Sequence, residues 1–325
     1  MTTDHFTIVA AAQAVPQHVV TNQALTDLMP TSDEWIRQRT GIQTRHVATT
    51  ETTTSLCVSV GQQLLAQTDV RADQIDLIVV ATMSPDYLTP ATATQVQAAL
   101  RATNAVAFDI NVACAGFVFG MELVHRYLQS GQTALLIGGE TLSRLVDWHD
   151  RRTAVLFGDG AGGVLIQNQP DSSSGWLGQH FASFGEQGRY LTAGQFQQKT
   201  PWQSASASPQ WAFQMDGRRV YNFATKQVPQ SLQAALASAQ LAPSDIDLYI
   251  LHQANARIIA SVGRKLKLTA AQLPMNIAKY GNTAAASEPI LLAELVASGQ
   301  LKRGMRLAFA GFGGGLSVGT AIINY

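Results

Sequence analysis

The sequence predicts an α/β protein made of two halves that share one order of helices and strands. Three stretches of the first half return in the same order in the second, at offsets of 171 to 173 residues: 74–80 as 245–251, 122–124 as 294–296 and 131–138 as 304–311. Short, continuous apolar runs follow helical patterns, which is typical of strands buried on both faces of largely parallel sheets. The hydrophobic share of 46% is ample for such cores. We therefore place the halves at residues 1–170 and 171–325.

The elements follow in chain order from local patterns. Phe6–Ala12 predicts the first strand, and the polar stretch after it contains one predicted helix, around Asn22–Met29. Further strands are predicted at Ile75–Ala81, Ala107–Val112, Asp247–Leu251 and Arg306–Ala310, with a helix at Val118–Leu128. Trp176–Trp211 is rich in Gly, Ser and Gln and predicts a long irregular connection, of the kind that often covers a site.

Composition excludes several classes of function. The 22 Lys and Arg residues balance the 22 Asp and Glu residues, which argues against a nucleic-acid binder because such a protein carries a positive excess. Charged residues make up only 14% of the chain, so we expect part of its surface to be buried in a homo-oligomer. No apolar stretch approaches the roughly 18 residues that a membrane span requires.

The cysteines and the N-terminal residues predict a compartment. Two cysteines, Cys57 and Cys114, cannot form a disulfide framework or supply a four-ligand metal site. Asp4 and the lack of a basic region at the start argue against a signal peptide. We therefore expect a cytoplasmic protein with no metal and no membrane or nucleic-acid partner.

Cys114 is the first candidate for chemistry. It stands between the predicted strand Ala107–Val112 and the predicted helix Val118–Leu128, where a helix N-terminus lowers the pKa of a thiol. A buried cysteine that acts as a small hydrophobe fits the position equally well. Cys57 lies in a helical core pattern, which favours a purely structural role.

Two polar residues of the second half are further candidates. His252 ends the predicted strand Asp247–Leu251, where α/β folds place their sites, and the duplicated position in the first half is Ala81. Asn282 lies in a tight turn before a helix, where a structural capping role is the alternative.

Two glycine-rich stretches have different interpretations. Gly313–Gly315 follows a predicted strand, and its backbone N–H groups could form an oxyanion hole, although a plain flexible turn is the alternative. Gly158–Gly163 fits G-x-G-x-x-G, but Val164–Ile166 then predicts a strand instead of the helix that a dinucleotide site needs. We interpret the second stretch as a hairpin-like turn.

Six separated motifs resemble those of the β-ketoacyl-[acyl-carrier-protein] synthase III family, in the family's order. They are Thr31–Ile36 with Arg39–Ile42, Ala113–Phe117, Phe157–Gly162, His252–Asn255, Gly281–Thr283 and Phe312–Gly315. The resemblance runs from about Thr31 to the C-terminus. It implies the thiolase fold, in which two βαβαβαββ halves form five layers (α-β-α-β-α), usually as a homodimer. The first half would carry the nucleophile, and the second half the histidine and asparagine.

The resemblance also implies an acyltransferase reaction that begins fatty acid synthesis. Cys114 would accept the acyl group of an acyl-CoA, and His252 and Asn282 would stabilise the enolate formed from malonyl-[acyl-carrier-protein] as carbon dioxide leaves. The enolate would attack the acyl-cysteine and give a 3-ketoacyl product. The backbone N–H groups of Cys114 and Gly314 would hold the oxyanion. No cofactor is implied, because coenzyme A enters as the thioester substrate.

Binding residues are implied in the same way. Trp35 and Arg151 would clamp the CoA adenine. Contacts to the rest of CoA are implied for Arg39, Gly217, Asn255 and Phe312. The carrier protein would dock on Gln253, Arg257, Arg264 and Lys265, although a basic helix face can also be merely solvated.

Two positions depart from the family pattern. Glu288 precedes Pro289, where the family usually has a small apolar residue. A carboxylate at this position could perturb His252, accept a partner or simply face solvent. Thr89 stands where acetyl-using members commonly have phenylalanine, so we expect Thr89 to open the acyl pocket to primers longer than acetyl.

Rival functions differ in how well the residues fit. A papain-like cysteine hydrolase would have a tryptophan beside its cysteine and usually disulfides, and its halves would not repeat. A proper thiolase needs a second active-site cysteine after Cys114, and none exists. The strongest rival is a related condensing enzyme of secondary metabolism. The motifs do not separate it from an enzyme that begins fatty acid synthesis.

Overall fold

Strands and helices alternate along most of the chain. The computed structural model describes residues 5–169, 175–195, 202 and 210–325. Its strands are β1 (Thr7–Ala14), β2 (Val19–Thr21), β3 (Thr44–His46), β4 (Leu77–Ala81), β5 (Val106–Ile110), β6 (Thr133–Glu140), β7 (Gly160–Gln167), β8 (Gly175–Ser183), β9 (Leu191–Thr192), β10 (Gln214–Met215), β11 (Leu248–Leu251), β12 (Arg306–Gly313) and β13 (Ser317–Asn324). Its α-helices are α1 (Asn22–Leu25), α2 (Asp33–Thr40), α3 (Thr53–Ala66), α4 (Thr92–Leu100), α5 (Gly116–Tyr127), α6 (Gly217–Ala239), α7 (Ala256–Leu266), α8 (Ile277–Tyr280) and α9 (Ser287–Ala297).

The first large sheet is formed by strands of residues 7–167, in the order β1-β7-β6-β4-β5. β4 runs parallel to β5 and β6, whereas β7 is antiparallel to β6 and β1. Every residue of β4 is buried, as its continuous apolar run predicts. Helices α4 and α5 make the crossovers on either side of β5, but β6 and β7 are joined without an α-helix and therefore pair antiparallel.

The second large sheet is formed by strands of residues 175–324, in the order β11-β12-β13-β8. Only β11 and β12 are parallel there, and β13 is antiparallel to both of its neighbours. The expectation of largely parallel sheets is therefore wrong. Both sheets are mixed because each half ends in two successive strands with no crossover helix between them.

Helices and sheets stack in five layers. Residues of α3 and α4 pack on one face of the first sheet, and residues of α6 and α7 pack on the outer face of the second. Residues of α5 and α9 lie in the core between the two sheets, where Phe117 meets Phe309 at a ring distance of 6.3 Å. This is the thiolase fold with the α-β-α-β-α order that the resemblance implies.

The duplication is visible in the structure. Helices α5 and α9 begin 171 residues apart, at Gly116 and Ser287, and each follows a single 3₁₀ turn. Ala113 and Ala284, which begin these turns, share an unusual positive φ of 44° and 43°. Between α7 and α9, where every residue is described, no strand takes the place that β5 has in the first half. The described part of the second half is therefore one strand short of βαβαβαββ.

Three local predictions need correction. Gly160–Gly163 lies within β7 and not in a hairpin turn. Position 162 requires glycine for a packing reason: α9 passes so close that a Cβ there would sit 2.6 Å from the Ile290 nitrogen. The helix expected around Asn22–Met29 is only the four-residue α1. Trp176–Trp211 begins as strand β8 and is irregular only in part, and much of the remainder (196–201 and 203–209) lies outside the described residues.

Candidate active site

One cavity of about 860 Å³ gathers most of the predicted site residues. It lies where the 3₁₀ turns before α5 and α9 meet the C-terminal ends of β11 and β12. Ten predicted residues line it: Trp35, Arg39, Cys114, Gly217, His252, Asn255, Arg257, Asn282, Phe312 and Gly314. Arg151, Gln253, Arg264, Lys265 and Thr89 are not among its lining residues.

Cys114 sits in the middle of the 3₁₀ turn Ala113–Ala115, with helix α5 starting two residues later at Gly116. Its side chain is 6% exposed. The end of β12 presses directly against it, since a Cβ on Gly313 would lie 2.7 Å from the Cys114 nitrogen. A glycine is therefore required at 313, and the thiol faces the cavity from a rigid surrounding.

The charge state of Cys114 differs from the expectation. Burial raises the pKa of the thiol well above its ordinary value, and the carboxyl groups of Glu140 and Glu288 raise it further. The expected lowering by the helix N-terminus is wrong for this resting state, because loss of water outweighs it. At pH 7 the cysteine is therefore a protonated thiol.

Glu140, at the end of β6, has the larger effect of the two carboxyl groups on the pKa of Cys114. The carboxyl is fully buried and accepts hydrogen bonds from the Met83 N–H at 3.2 Å and from the hydroxyls of Thr82 and Ser84. Burial raises its pKa to about 8. Sequence analysis missed this residue, although an acidic residue ending an otherwise apolar strand is a visible signal.

His252 follows β11 and is 1% exposed. Its backbone N–H donates to the Ala310 carbonyl at 2.9 Å, which ties it to β12, and the ring of Phe312 packs edge-on against its imidazole. Burial lowers the pKa of His252 to about 3. The imidazole is therefore neutral at pH 7 and can donate a hydrogen bond from only one of its nitrogens.

The partners of His252 come from the start of α9. Its Nδ1 lies 2.7 Å from the hydroxyl oxygen of Ser287, which in turn lies 2.8 Å from Oε2 of Glu288. Both partners are buried, and burial raises the pKa of Glu288 to about 8. Glu288 therefore does not face solvent, and it touches the histidine through a serine that sequence analysis did not single out.

Asn282 is held by two neighbouring segments. Its backbone exchanges hydrogen bonds with Leu156 and Gly158, at 2.9 and 3.0 Å. Its side-chain oxygen accepts the Ala284 N–H at 2.9 Å. Because that oxygen is engaged, the amide NH₂ remains as the group with which Asn282 can donate into the cavity.

The glycine segment after β12 borders the same space. The strand runs to Gly313, three residues beyond its predicted end, so the turn is formed by residues 314–316. Gly313, Gly314 and Gly315 all line the cavity, and a Cβ on Gly314 would lie 3.3 Å from Ala113. Backbone amides in such a glycine segment can approach a substrate carbonyl closely.

An apolar pocket surrounds the thiol. Cys114 shares a buried cluster with Leu142, Leu145, Phe157, Phe213 and Ala284. The rings of Phe157 and Phe213 stack at 4.1 Å and both line the cavity. Thr89 is exposed in the loop before α4 and does not line the cavity, so it does not form the floor of the pocket within this chain.

Aromatic and cationic groups meet at the entrance. The guanidinium groups of Arg151 and Arg39 lie over the ring of Trp35, at 5.1 and 5.7 Å from its centroid. Arg152 and Arg218, which were not predicted, also line the cavity. Three of these arginines, Arg39, Arg152 and Arg218, thus line the cavity, and Arg151 contacts the ring of Trp35 without lining it.

The other predicted binding residues have clear structural roles as well. Asn255 caps α7 by accepting the Arg257 N–H at 2.8 Å, and its amide donates to the Arg39 carbonyl at 3.0 Å. Gly217 is the first residue of α6. Phe312 is 4% exposed and supports His252. Each still lines the cavity.

The predicted docking residues divide into two groups. Arg257, Arg264 and Lys265 are exposed on α7, and Lys265 also donates to the Thr225 carbonyl at 2.7 Å. Gln253 is 1% exposed, and its amide is bonded to the Leu251 carbonyl and the Asn276 N–H. A residue buried in this way cannot contact a macromolecular partner, so Gln253 has an internal structural role.

Across the ranges given above, no group of three or more His, Cys, Asp or Glu side chains has a metal-binding arrangement. In the same residues, no helix combines the length and apolar character of a membrane span.

A buried thiol, a neutral imidazole and a carboxamide that converge on one cavity of a thiolase fold define a condensing enzyme of the thiolase superfamily. Residues 108–185 match the family model for 3-oxoacyl-[acyl-carrier-protein (ACP)] synthase III, and residues 236–325 match the model for its C-terminal part. The chain belongs to the β-ketoacyl-[acyl-carrier-protein] synthase III family, whose members are acyltransferases.

Individual relatives agree with that assignment. β-Ketoacyl-[acyl-carrier-protein] synthase III 2 of Lactiplantibacillus plantarum is 68% identical over 99% of this chain and 100% of its own length. The crystal structure of 3-oxoacyl-[acyl-carrier-protein] synthase III from Aquifex aeolicus superposes with a TM-score of 0.91 at 35% identity, covering 98% of this chain and 100% of that one. The priming β-ketosynthase of the R1128 polyketide pathway gives 0.90 at 29% identity, covering 98% and 96%.

Proposed function

We propose that this protein starts fatty acid synthesis by condensing an acyl-CoA primer with malonyl-[acyl-carrier-protein] to give 3-ketoacyl-[acyl-carrier-protein]. The observation that carries the proposal is the meeting of Cys114, His252 and Asn282 around one cavity. Family membership and full-length relatives support the reaction class. The reaction needs no cofactor beyond the coenzyme A thioester, and we place it in the cytoplasm.

The first half-reaction loads Cys114. The sulfur attacks the thioester carbonyl of acyl-CoA, the carbon–sulfur bond to coenzyme A breaks, and the proton of the thiol ends on the coenzyme A sulfur. Backbone N–H groups of Cys114 and Gly314 stabilise the oxyanion of the intermediate. The apolar cluster around the thiol accommodates the acyl chain.

The second half-reaction makes the carbon–carbon bond. The carbon–carbon bond to the malonyl carboxylate breaks, and carbon dioxide leaves. The electron pair of that bond forms an enolate, whose negative charge lies on the thioester oxygen. Neutral His252 and the NH₂ of Asn282 donate hydrogen bonds to that oxygen. The enolate carbon then attacks the acyl-cysteine, and the released sulfur takes a proton from solvent.

Charge at the entrance suits both substrates. Trp35 offers a stacking surface for an adenine ring, and Arg39 and Arg151 lie over that ring. Arg152 and Arg218 line the same cavity and add charge for phosphates. Arg257, Arg264 and Lys265 give helix α7 an exposed basic face that complements an acidic carrier protein.

Intact-mass spectrometry after separate incubation with a panel of acyl-CoAs tests this function. We expect one acyl adduct on Cys114, followed by loss of the adduct and release of 3-ketoacyl product when malonyl-[acyl-carrier-protein] is added. Absence of an adduct with every acyl-CoA would remove the proposal.

A condensing enzyme of secondary metabolism is the second candidate. The likeness to the R1128 priming β-ketosynthase favours it, although that structure is less similar in sequence than the relatives named synthase III. Activity with the carrier protein of fatty acid synthesis, compared with a polyketide carrier protein, separates the two candidates.

The proposal also divides the chain into two halves, residues 1–170 and 171–325. It further makes the protein a homodimer. β5 is an edge strand of the first sheet, and Val106 in it is 51% exposed while Phe108 and Ile110 are half-buried. An apolar edge strand favours pairing with a second copy. We expect sedimentation equilibrium to give twice the chain mass of 34.8 kDa, and a stable monomer at micromolar concentration would contradict it.

We propose that Phe213 limits primer length within one chain, while the effect expected of Thr89 on primer length stays a prediction. Phe213→Ala removes a ring stacked on Phe157 beside the thiol and should admit longer primers. Each methylene newly buried contributes about 0.8 kcal/mol, roughly a fourfold gain in kcat/KM per carbon. We therefore expect kcat/KM across two- to eight-carbon primers to shift toward the longer ones. Phe184→Ala, whose ring packs on Phe223 away from the cavity, is the control and should leave the preference unchanged.

A further inference from the structure

The hydroxyl of Ser287 links a carboxyl group to the active-site histidine. Its oxygen lies 2.7 Å from Nδ1 of His252 and 2.8 Å from Oε2 of Glu288, and it accepts the Gln253 N–H at 3.2 Å. Glu288 does not reach the imidazole at hydrogen-bond distance itself, because Oε2 and Nδ1 are 4.0 Å apart. Any influence of its protonation on the hydrogen bonding of His252 therefore passes through Ser287.

A hydroxyl has one proton, so this chain of hydrogen bonds can run in only two directions. If Glu288 is a neutral acid, it donates to Ser287, Ser287 donates to Nδ1, and His252 carries its proton on Nε2. If Glu288 is ionised, Ser287 must donate to the carboxylate, and His252 carries its proton on Nδ1. Only the first arrangement leaves an N–H at Nε2, on the side of the imidazole away from Ser287.

The surroundings of Glu288 favour the neutral acid. The residue is fully buried, and Oε1 has no hydrogen-bond partner among the described residues, which is costly for a charged oxygen. In the described ranges no lysine or arginine is within ion-pair distance of Glu288, and its only recorded ionic neighbour is His252.

The arginines that line the cavity are not within ion-pair distance of Glu288, and the groups close to Glu288 carry no positive charge. Cys114 faces Glu288 from the turn before α5, and Glu140 acts on that cysteine from the end of β6. Strands β1, β7 and β11 contain no charged residue, and Arg306 of β12 is exposed at the far end of its strand. Among the described residues, Lys279 pairs with Glu294 further along α9, so only a protonated His252 is placed to compensate an ionised Glu288.

We propose that Ser287 and Glu288 are positioning residues that place the proton of neutral His252 on Nε2, so that the imidazole can donate to the enolate oxygen. The inference rests on the proposed function, in which His252 stabilises that enolate. Ionisation of Glu288 reverses the hydrogen bonds and removes the donor. The rate of malonyl decarboxylation should then fall at high pH, whereas the rate of Cys114 acylation should not.

The size of the effect follows from the acidity of Glu288. Its pKa is raised by burial to about 8, so the neutral fraction falls about tenfold between pH 7 and pH 9. We expect the rate of malonyl decarboxylation to fall by about the same factor, while acylation of Cys114 shows no such decline.

Glu288→Gln tests the inference, because a glutamine amide can donate to Ser287 at every pH. We expect its decarboxylation rate to change less than twofold from pH 7 to pH 9. Ser287→Ala, a second variant, breaks the link and should give a lower rate that is equally insensitive to pH. Glu294→Gln is the matched control, since Glu294 lies on the same helix but bonds to Asn276, Lys279 and Tyr280, and it should keep the tenfold decline.

Two results would overturn the inference. One is a tenfold decline in Glu288→Gln like that of the parent. The other is a loss of more than about 10²-fold in Glu288→Gln at every pH with Cys114 still acylated, because it would mean that a carboxylate paired with a protonated His252 is required. If the parent protein neither acylates Cys114 nor decarboxylates a malonyl thioester at pH 7, the proposed function fails and the inference fails with it.

Discussion

Replacement of Cys114 by serine is expected to abolish condensation. Serine keeps the shape of the 3₁₀ turn against Gly313, but its hydroxyl is a far weaker nucleophile than a thiol and forms no thioester. We expect kcat to fall by at least about 10³-fold and the acyl adduct to disappear from the intact mass, while coenzyme A still binds.

The second cysteine provides the matched control for that experiment. Cys57 is fully buried on α3, and burial holds the pKa of its thiol well above the ordinary value. Cys57→Ala should therefore keep the acyl adduct and the activity. An adduct that persists in Cys114→Ser and is lost in Cys57→Ala would show that the wrong cysteine has been assigned.

Much of the site could be predicted because it depends on short motifs at the ends of strands. The turn after β5, the residue after β11 and the turn before α9 are each adjacent to an element with a clear apolar pattern. The repeat also pairs the turn that contains Cys114 with the turn that follows Asn282. Asn111 accepts the N–H of Ala113, just as Asn282 accepts that of Ala284, so Cys114 and Ala285 occupy equivalent positions.

What could not be predicted depends on contacts between distant segments. The acidity of Cys114 is set by burial and by two carboxyls that come from β6 and α9, so the local helix N-terminus gave the wrong sign. The glycines of β7 are explained only by close packing of distant segments, because a Cβ on Gly162 would meet Ile290 of α9 and one on Gly163 would meet Leu136 of β6. Thr89 was assigned to the pocket by analogy, and only the path of its loop shows that it is exposed.

The link from Glu288 to His252 is the clearest example. In the sequence, Glu288 is noticeable only as a departure from a family pattern, and a position facing solvent was an open alternative. The fold buries it because α9 is the central helix between the sheets, and it brings Ser287 to a histidine 35 residues away in the chain. Glu288 therefore lies in the core, and its protonation state can set the hydrogen bonding of His252.

His252→Ala and Asn282→Ala are expected to separate the two half-reactions. Each removes one hydrogen-bond donor to the enolate oxygen and should lower malonyl decarboxylation by about 10²- to 10³-fold, because a preorganised donor is worth that much in a buried site. Acylation of Cys114 should persist in both variants, since the nucleophile and the glycine segment remain. His180→Ala is the control, because His180 also bonds to a buried serine, Ser231, but lies outside the cavity. Normal decarboxylation in either active-site variant, measured as release of carbon dioxide, would exclude that residue from enolate stabilisation.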